Sequence, residues 1–118
     1  MTIEKKYDLE ERTLKFAKSC IDLCRQLSRE VVNNELGGQF VRSASSIGAN
    51  YREANETGTK KDFYHRIRIS LREAKETKYW LELLRHANQK HLEQINGLLD
   101  EVGQLIKIFA SIANADKS

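Results

Sequence analysis

The chain contains no proline among its 118 residues and only six glycines, so very little in it can interrupt a helix. Proline removes a backbone donor and clashes with the preceding turn, and glycine lowers helix propensity, which makes these two residues the main helix breakers. Leucine, alanine, glutamate, lysine and arginine, which favour helix, are common along the whole length. The sequence therefore predicts an all-α fold.

Four segments carry apolar residues at intervals of three and four, the spacing of helices with one buried side. These helices are predicted at about 9–29, 35–56, 60–85 and 90–113. Connections this short favour antiparallel neighbours, which predicts a single up-down-up-down antiparallel four-helix bundle over residues 1–118.

Local signals predict where these helices begin. Asp8 is the expected N-cap of the first helix, a polar turn at Asn33 and Asn34 is expected before the second, and Thr59 is the expected N-cap of the third. Gly48, inside the second helix, indicates a place where a neighbouring backbone approaches closely.

The third helix carries more surface patterning than one core requires. A bundle helix buries about three positions in seven, and one row of this helix already meets that need: Phe63, Ile67, Ser70, Leu71, Ala74, Thr77, Leu81 and Leu84. A second row, about 120° to one side, consists of Ile69, Glu73, Glu76, Trp80 and Leu83. It resembles the seam where one helix meets another chain, so it predicts a homo-oligomer. A ring of copies would need this seam to meet a different face, for which the outer stripe of the fourth helix, Leu98, Leu105 and Ile112, is a candidate.

A third row on the same helix is basic, and it matches an uneven distribution of charge. Residues 42–90 hold eleven basic and six acidic side chains, against seven and seven in residues 1–41 and two and four in residues 91–118. The row contains Lys61, Arg68, Arg72 and Lys75, with Tyr64 and Tyr79 beside it. Such a row is more often a solvated face, but repeated in an oligomer it would form a belt able to bind phosphates, with the tyrosines available to stack on bases. RNA is thus a candidate partner.

A polar stripe on the second helix, Ser46, Asn50 and Glu53, can be interpreted in two ways together with Glu76. Carboxylates beside hydroxyl and amide groups can perform acid–base chemistry. The favoured interpretation is a buried, hydrogen-bonded polar layer between helices or subunits, with Arg42 or Arg52 as donors, because no nucleophile, metal cluster or phosphate-binding glycine loop accompanies these residues.

Other classes of function find little support in the sequence. Cys20 and Cys24 lie on the apolar side of the first helix, and neither they nor the scattered His65, His86 and His91 predict a metal site. No cofactor motif, small-molecule substrate site, signal peptide or membrane span is recognisable, so we expect a cytoplasmic protein without a cofactor or a membrane partner. Arg85 and His91 fit the loose R-x(4–6)-H pattern of some helical ribonucleases, a match expected by chance in a chain this rich in arginine.

The run from Gln39 to Ala54, followed by Lys61-Asp62-Phe63 and the stretch from Glu76 to Leu84, resembles a known family. These residues are similar to the four helix bundle proteins encoded within intervening sequences of bacterial 23S ribosomal RNA, most specifically in the pattern S-I-x-x-N-x-x-E. The family's Ser, Asn and Glu fall on Ser46, Asn50 and Glu53, and its third-helix glutamate falls on Glu76. The chain departs from it with Tyr51 in place of an aliphatic residue and Ala54 in place of glycine.

The resemblance implies a small cytosolic bundle that assembles into ring-like homopentamers and has no known enzymatic activity. Its namesakes are linked to ribosomal RNA only by where their genes lie, whereas distant relatives accompany retroelement reverse transcriptases and bind RNA. We therefore expect a non-catalytic homo-oligomeric assembly or adaptor protein that contacts RNA or a nucleic-acid enzyme through its basic surface. The alternatives are a small ribonuclease-like enzyme and a purely structural oligomer.

Overall fold

The protein, described here from a computed structural model, is an antiparallel up-down-up-down bundle of four helices. They are α1 (Ile3–Gln26), α2 (Val31–Glu56), α3 (Lys60–Ala87) and α4 (Leu92–Asn114), with a 3-10 turn at Gln89–His91 before α4. The structure describes the backbone of residues 3–117 and the side chains of residues 8–117, so residues 1, 2 and 118 of the predicted domain lie outside it. Residues 3–117 contain no strand, and the predicted all-α fold is confirmed.

One hydrophobic core runs along the bundle and takes side chains from every helix. At its centre Tyr51 of α2 meets Phe109 of α4 edge to face, with ring centroids 5.7 Å apart. The helices form because each presents apolar residues at the helical period toward this core.

None of the four helices, over its described residues, combines the length and apolarity needed to cross a membrane.

The α2 and α3 helices form the most extensive contact in the bundle, and small side chains line it. Thr77 donates a hydrogen bond to Ser43 (2.8 Å), and Ser70 donates one to the carbonyl oxygen of Ile47 (2.9 Å). All three hydroxyl-bearing side chains are fully buried, so each needs the partner that it has. These bonds fix the alignment of α3 along α2 and so decide which surface residues of the two helices become neighbours.

The α1 helix is held against its two neighbours in different ways. A Cβ atom placed on Gly48 of α2 would lie 2.8 Å from the hydroxyl oxygen of Thr13 and 3.7 Å from its backbone carbonyl carbon, so a side chain of α1, more than its backbone, makes the close approach at this glycine. The contact between α1 and α4 is small, and an ion pair bridges it: Arg12 donates to both carboxylate oxygens of Glu101, each at 2.8 Å, and to Gln104.

Both predicted ends of the first helix and the predicted start of the second are wrong. Asp8 is not an N-cap, because α1 already begins at Ile3 and no breaker separates that residue from Leu9. The second helix begins at Val31 instead of about residue 35, since Glu30 caps it by accepting hydrogen bonds from the backbone nitrogens of Asn33 (2.6 Å) and Val32 (3.4 Å). The chain must leave α1 before this cap, so α1 ends at Gln26 instead of about residue 29.

Asn33 lies inside α2, not in a turn, and it ties the two loops at this end of the bundle together. Its amide nitrogen donates to the side-chain oxygen of Asn88 at 3.0 Å, and that of Asn88 donates back at 2.8 Å. Asn88 follows α3, which extends two residues beyond its predicted end, whereas the predicted N-cap Thr59 is confirmed by its bond from the Asp62 nitrogen.

Two of the three residues predicted to form the outer stripe of α4 are buried. Leu98 and Leu105 belong to the core, with 8% and 0% of their surface exposed, whereas Ile112 is half-buried. The physical reason is that α4 packs extensively on α3 and little on α1, so its inner side turns toward α3. The stripe of Leu98 and Leu105 is therefore not available as an oligomer surface.

Candidate interaction surfaces

The predicted seam of α3 and the polar stripe of α2 form one continuous surface. The alignment set by Ser43 and Ser70 places the outer side of α2 beside the outer side of α3, and hydrogen bonds join the two. We call this surface the α2/α3 face; it consists of Arg42, Ser46, Asn50 and Glu53 from α2 and Arg66, Ile69, Glu73, Glu76, Trp80 and Leu83 from α3.

Arg42 organises one half of the α2/α3 face. It donates to Glu73 at 3.2 Å and makes a short ionic hydrogen bond to Glu76. Glu73 is buried, whereas half of the Arg42 side chain is exposed. The hydrogen bond to Glu76 raises the pKa of Arg42. Burial alone would raise the pKa of Glu76, but hydrogen bonds from Trp80 and Arg42 outweigh it and lower that pKa below its ordinary value, so both carboxylates have partners within the chain.

The apolar residues of the α2/α3 face are only partly covered. Trp80 packs its ring against the core, donates from Nε1 to Glu76 at 3.2 Å and meets Tyr79 edge to face at 5.3 Å. Ile69 and Leu83 are also half-buried. A single chain thus leaves a part of each of these three side chains in contact with water.

The four residues predicted as a buried polar layer do not form one within a single chain. Asn50 donates to the hydroxyl and carbonyl oxygens of Ser46, each at 2.9 Å, and accepts from Arg66 at 3.1 Å. Glu53 is exposed, and Glu76 pairs with Arg42 instead. Of the two donors expected, Arg42 serves this face, whereas Arg52 approaches Glu10 of α1 at 4.0 Å. The two carboxylates are not brought together, so the arrangement does not provide the acid–base pair that the alternative interpretation requires.

Arg66 was missed in the sequence, although the pattern contains a signal for it. It lies three residues before Ile69 and so extends the row of the seam by one step toward the start of α3. On α2, Arg42 precedes Ser46 by four residues and extends the polar stripe in the same way. Continuing both rows in this manner would have predicted the residues that join the two helices on this face.

The predicted basic row lies on the opposite flank of α3, and its side chains face solvent. Lys61, Arg68, Arg72 and Lys75 are all exposed; we call them the basic line. Arg68 donates to Asp116, just after the end of α4, at 2.5 Å and lies 5.9 Å from the ring centroid of Tyr64. Tyr64 is half-buried against Phe63, whereas Tyr79 is 55% exposed. Only Tyr79 therefore offers a largely open ring.

The remaining candidate residues stay apart. Arg85 donates to Asn96 of α4 at 3.1 Å and not to His91, so the two residues of the ribonuclease-like pattern form no pair. Cys20 is buried and Cys24 half-buried, and burial raises the pKa of both thiols. Across the described residues, no three His, Cys, Asp or Glu side chains cluster as metal ligands would.

The fold defines a small protein of the four-helix-bundle class. Its candidate interaction residues, those of the α2/α3 face and of the basic line, lie along the sides of the bundle. Residues 5–111 match the family described as 23S rRNA-intervening sequence protein, and the chain belongs to that family. Among solved structures, it is similar to a protein of unknown function from the S23 ribosomal protein family of Bacteroides thetaiotaomicron. The two are 34% identical with a TM-score of 0.79, covering 88% of this chain and 96% of that one. No curated protein matches the chain.

Proposed function

We propose that the protein is a non-catalytic assembly or adaptor whose copies associate through the α2/α3 face, leaving the basic line free to contact RNA or a nucleic-acid enzyme. Family membership relates the chain to 23S rRNA intervening sequences. The association and the partner are our inference from the surfaces. Five copies are the number that the resemblance implies.

The observation that carries this proposal is the composition of the α2/α3 face. Ile69, Trp80 and Leu83 remain partly exposed, and burying the rest of each would add roughly 1 kcal/mol of favourable free energy per side chain. The polar groups between them are already bonded within the chain, because Arg42 and Trp80 satisfy the carboxylate of Glu76. A partner would therefore gain apolar contact without leaving these groups unpaired.

The charges of this face favour a protein partner over a nucleic acid. Arg42 and Arg66 are balanced by Glu73, Glu76 and Glu53 within the same surface, so phosphates would meet acidic groups there. The basic line, in contrast, contains four cations, and several copies side by side would present it repeatedly. We therefore assign subunit contact to the α2/α3 face and RNA contact to the basic line.

The oligomeric state tests the proposal directly. We expect light scattering during size-exclusion chromatography to show an oligomer for the wild-type protein at micromolar concentration. Trp80→Asp and, separately, Ile69→Asp should give monomers, because each places a charge in the contact, while circular dichroism shows a largely unchanged helix content. Val31→Asp is the matched control: it adds the same charge at an apolar residue that is 83% exposed and lies outside the face, and it should leave the assembly intact.

A wild-type protein that remains monomeric at these concentrations would contradict the proposal. So would a Trp80→Asp variant that assembles as the wild type does.

A further inference from the structure

A groove lies between α1 and α4, beside the start of α3, where the contact between α1 and α4 is small. Its volume is about 650 Å³, within the range of about 300–1,000 Å³ that small-molecule sites occupy. We call it the α1/α4 groove. Its apolar lining comes from all three helices and from the residue that follows α4: Leu9, Phe63, Tyr64, Ile108, Ile112 and Ala115.

The apolar side chains of the α1/α4 groove are only partly covered by the bundle. Phe63, Ile108 and Ile112 pack against the core but remain half-buried. The rings of Phe63 and Tyr64 meet edge to face, with centroids 5.2 Å apart, and form the wall on the α3 side. An apolar molecule in the groove would therefore cover surface that a single chain leaves in contact with water.

The charged groups on the α1 wall are already engaged with each other or with α4. Arg12 donates to Glu101 and Gln104 of α4. The hydrogen bond to Glu101 raises the pKa of Arg12 most, and the charge of Asp8 raises it further, so Asp8 lies within electrostatic range of this guanidinium. The α1 wall thus presents the Asp8 carboxylate beside a cation that has a partner, which disfavours an anion on that side.

The α4 wall differs, because its polar groups have no partner. Lys107 and Ser111 both line the groove and lie four residues apart, one turn along the same side of the helix. Both side chains are exposed. Neither forms an ion pair or a side-chain hydrogen bond with another described residue. An ammonium and a hydroxyl one turn apart offer a carboxylate two donors, one of them charged.

We propose that the α1/α4 groove binds a free aliphatic monocarboxylate of medium chain length. The carboxylate accepts hydrogen bonds from Lys107 and Ser111, and the alkyl chain lies along Ile108, Ile112 and Ala115. From Lys107 to Ala115 the helix rises about 12 Å, the length of an extended chain of about eight to ten carbon atoms. An alkylammonium would place its cation beside Lys107, and an alcohol would lose the charge-assisted bond.

The other large grooves lack this combination of features. The groove at the loop end of the bundle, of about 600 Å³, is lined mainly by polar side chains such as Glu30, His86 and Lys90. A groove of about 530 Å³ along α1 is lined by residues of that helix alone, most of them charged. Neither provides an apolar floor contributed by several helices together with unpartnered donors on one wall.

Three ligands with the same chain and different head groups test the chemistry of the site. Isothermal titration calorimetry compares octanoate, octanol and octylammonium at neutral pH. We expect octanoate to bind at least about fivefold more tightly than octanol, and octylammonium to bind most weakly. Lys107→Gln should weaken octanoate binding about fivefold, the effect of one exposed ion pair, and leave octanol binding unchanged. Lys78→Gln is the matched control, since it removes an exposed lysine of α3 outside the groove, and it should bind all three ligands as the wild type does.

A variant that fills the groove tests the location of the site. Ser111 is exposed, so Ser111→Trp occupies the groove without removing a core side chain. It should weaken the binding of both octanoate and octanol at least about tenfold while thermal unfolding stays cooperative. Ser45→Trp, at an exposed serine of α2, is the matched control and should bind as the wild type does.

Four outcomes would overturn the proposal. They are the absence of octanoate binding at millimolar concentration, equal affinity for the three head groups, unchanged octanoate binding by Ser111→Trp, and preferential binding to phosphatidylglycerol vesicles, which would assign the groove to a membrane surface. If Ser111→Trp does not fold, the comparison of Lys107→Gln with Lys78→Gln decides, because both substitutions are at exposed positions. Equal octanoate affinity of these two variants would contradict the assigned position of the carboxylate.

Discussion

The two outward flanks of α3 carry similar numbers of charged residues, but they differ in how those charges are paired. On the α2/α3 face, Arg42 bridges the carboxylates of Glu73 and Glu76. On the basic line, Lys61, Arg72 and Lys75 form no ion pair with a described residue, and Arg68 reaches a carboxylate only beyond the end of α4. One helix thus carries one flank whose carboxylates are paired with an arginine of the same chain and another whose cations mostly face solvent.

This difference indicates which kind of partner each flank suits. A protein contact buries its polar groups, and groups that are already paired and fixed lose little when water leaves. Phosphates bind cations in exchange for mobile counterions, which favours side chains that are exposed and unpaired. Removing the ion pairs of the α2/α3 face should therefore change the stability of the protein, whereas removing the charges of the basic line should change its affinity for RNA.

The largest expected effect comes from removing the pairing on the α2/α3 face. Arg42→Ala leaves the buried Glu73 without its cation, and we expect it to lower the free energy of unfolding by about 2 kcal/mol, less than a fully buried pair would lose because Arg42 is half exposed. Urea denaturation measures this change. Arg52→Ala is the control: its distance to Glu10 is 4.0 Å, and the Glu10 side chain keeps 20% of its surface in water, so the loss of this contact should change stability by less than about 0.5 kcal/mol.

Adding Glu73→Gln to Arg42→Ala distinguishes a lost charge partner from lost packing. The double variant should recover part of the stability, because it no longer buries an unpaired carboxylate. Equal stability of the single and double variants would show that the Arg42–Glu73 pair does not stabilise the α2/α3 face.

Substitutions in the basic line should change the affinity of the protein for RNA and leave the stability of its fold unchanged. Replacing Arg68, Arg72 and Lys75 with glutamine should weaken binding to a single-stranded RNA oligomer about tenfold and reduce the salt slope by about two to three. Fluorescence polarisation over a series of salt concentrations measures both. Asp116→Asn is the opposing control, since it frees Arg68 and should strengthen binding. Unchanged affinity in the triple variant, or binding that does not depend on salt, would contradict the assignment of RNA to this flank.

The sequence predicted the structural features that depend on the helical period. The four helices and the inward row of α3 followed from spacings of three and four, and the close contact at Gly48 followed from a glycine inside a helix. The second row of α3 was likewise visible, because Ile69 and Trp80 exceed what one core needs. These features are local, since each depends on residues within a few turns of one helix.

The features that the sequence did not predict depend on residues distant in the sequence or on a residue type that is unusual at its position. Glu30 caps α2 although Ser, Thr, Asp and Asn are the usual N-caps, so the start of α2 was placed four residues late. Asn33 and Asn88 form a pair across 55 residues, and no spacing rule connects them. The burial of Leu98 and Leu105 was not predicted because the apolar surface of α4 is wide, and only its packing against α3 decides which part of that surface is buried.

The smallest expected effect concerns Glu76 and depends on pH. Its pKa in the folded protein is lowered from an ordinary value of 4.5, so the charged form is favoured by folding, and the resulting stability is present above that pH and lost as pH falls through the folded value. A third of the side chain is exposed, which limits the contribution at neutral pH to less than about 1 kcal/mol.

Glu76→Gln should therefore be less stable than the wild type at pH 7, with the difference shrinking toward zero as the pH is lowered below 4.5. Thermal unfolding of both proteins across this range measures the difference, and Glu82→Gln, at an exposed position on the other flank, should change stability by less than about 0.5 kcal/mol at pH 7. A difference for Glu76→Gln that persists unchanged in acid would mean that its carboxylate acts through shape and hydrogen bonding alone. In that case, the neutralisation that separates the two flanks of α3 would rest on the Arg42–Glu73 pair.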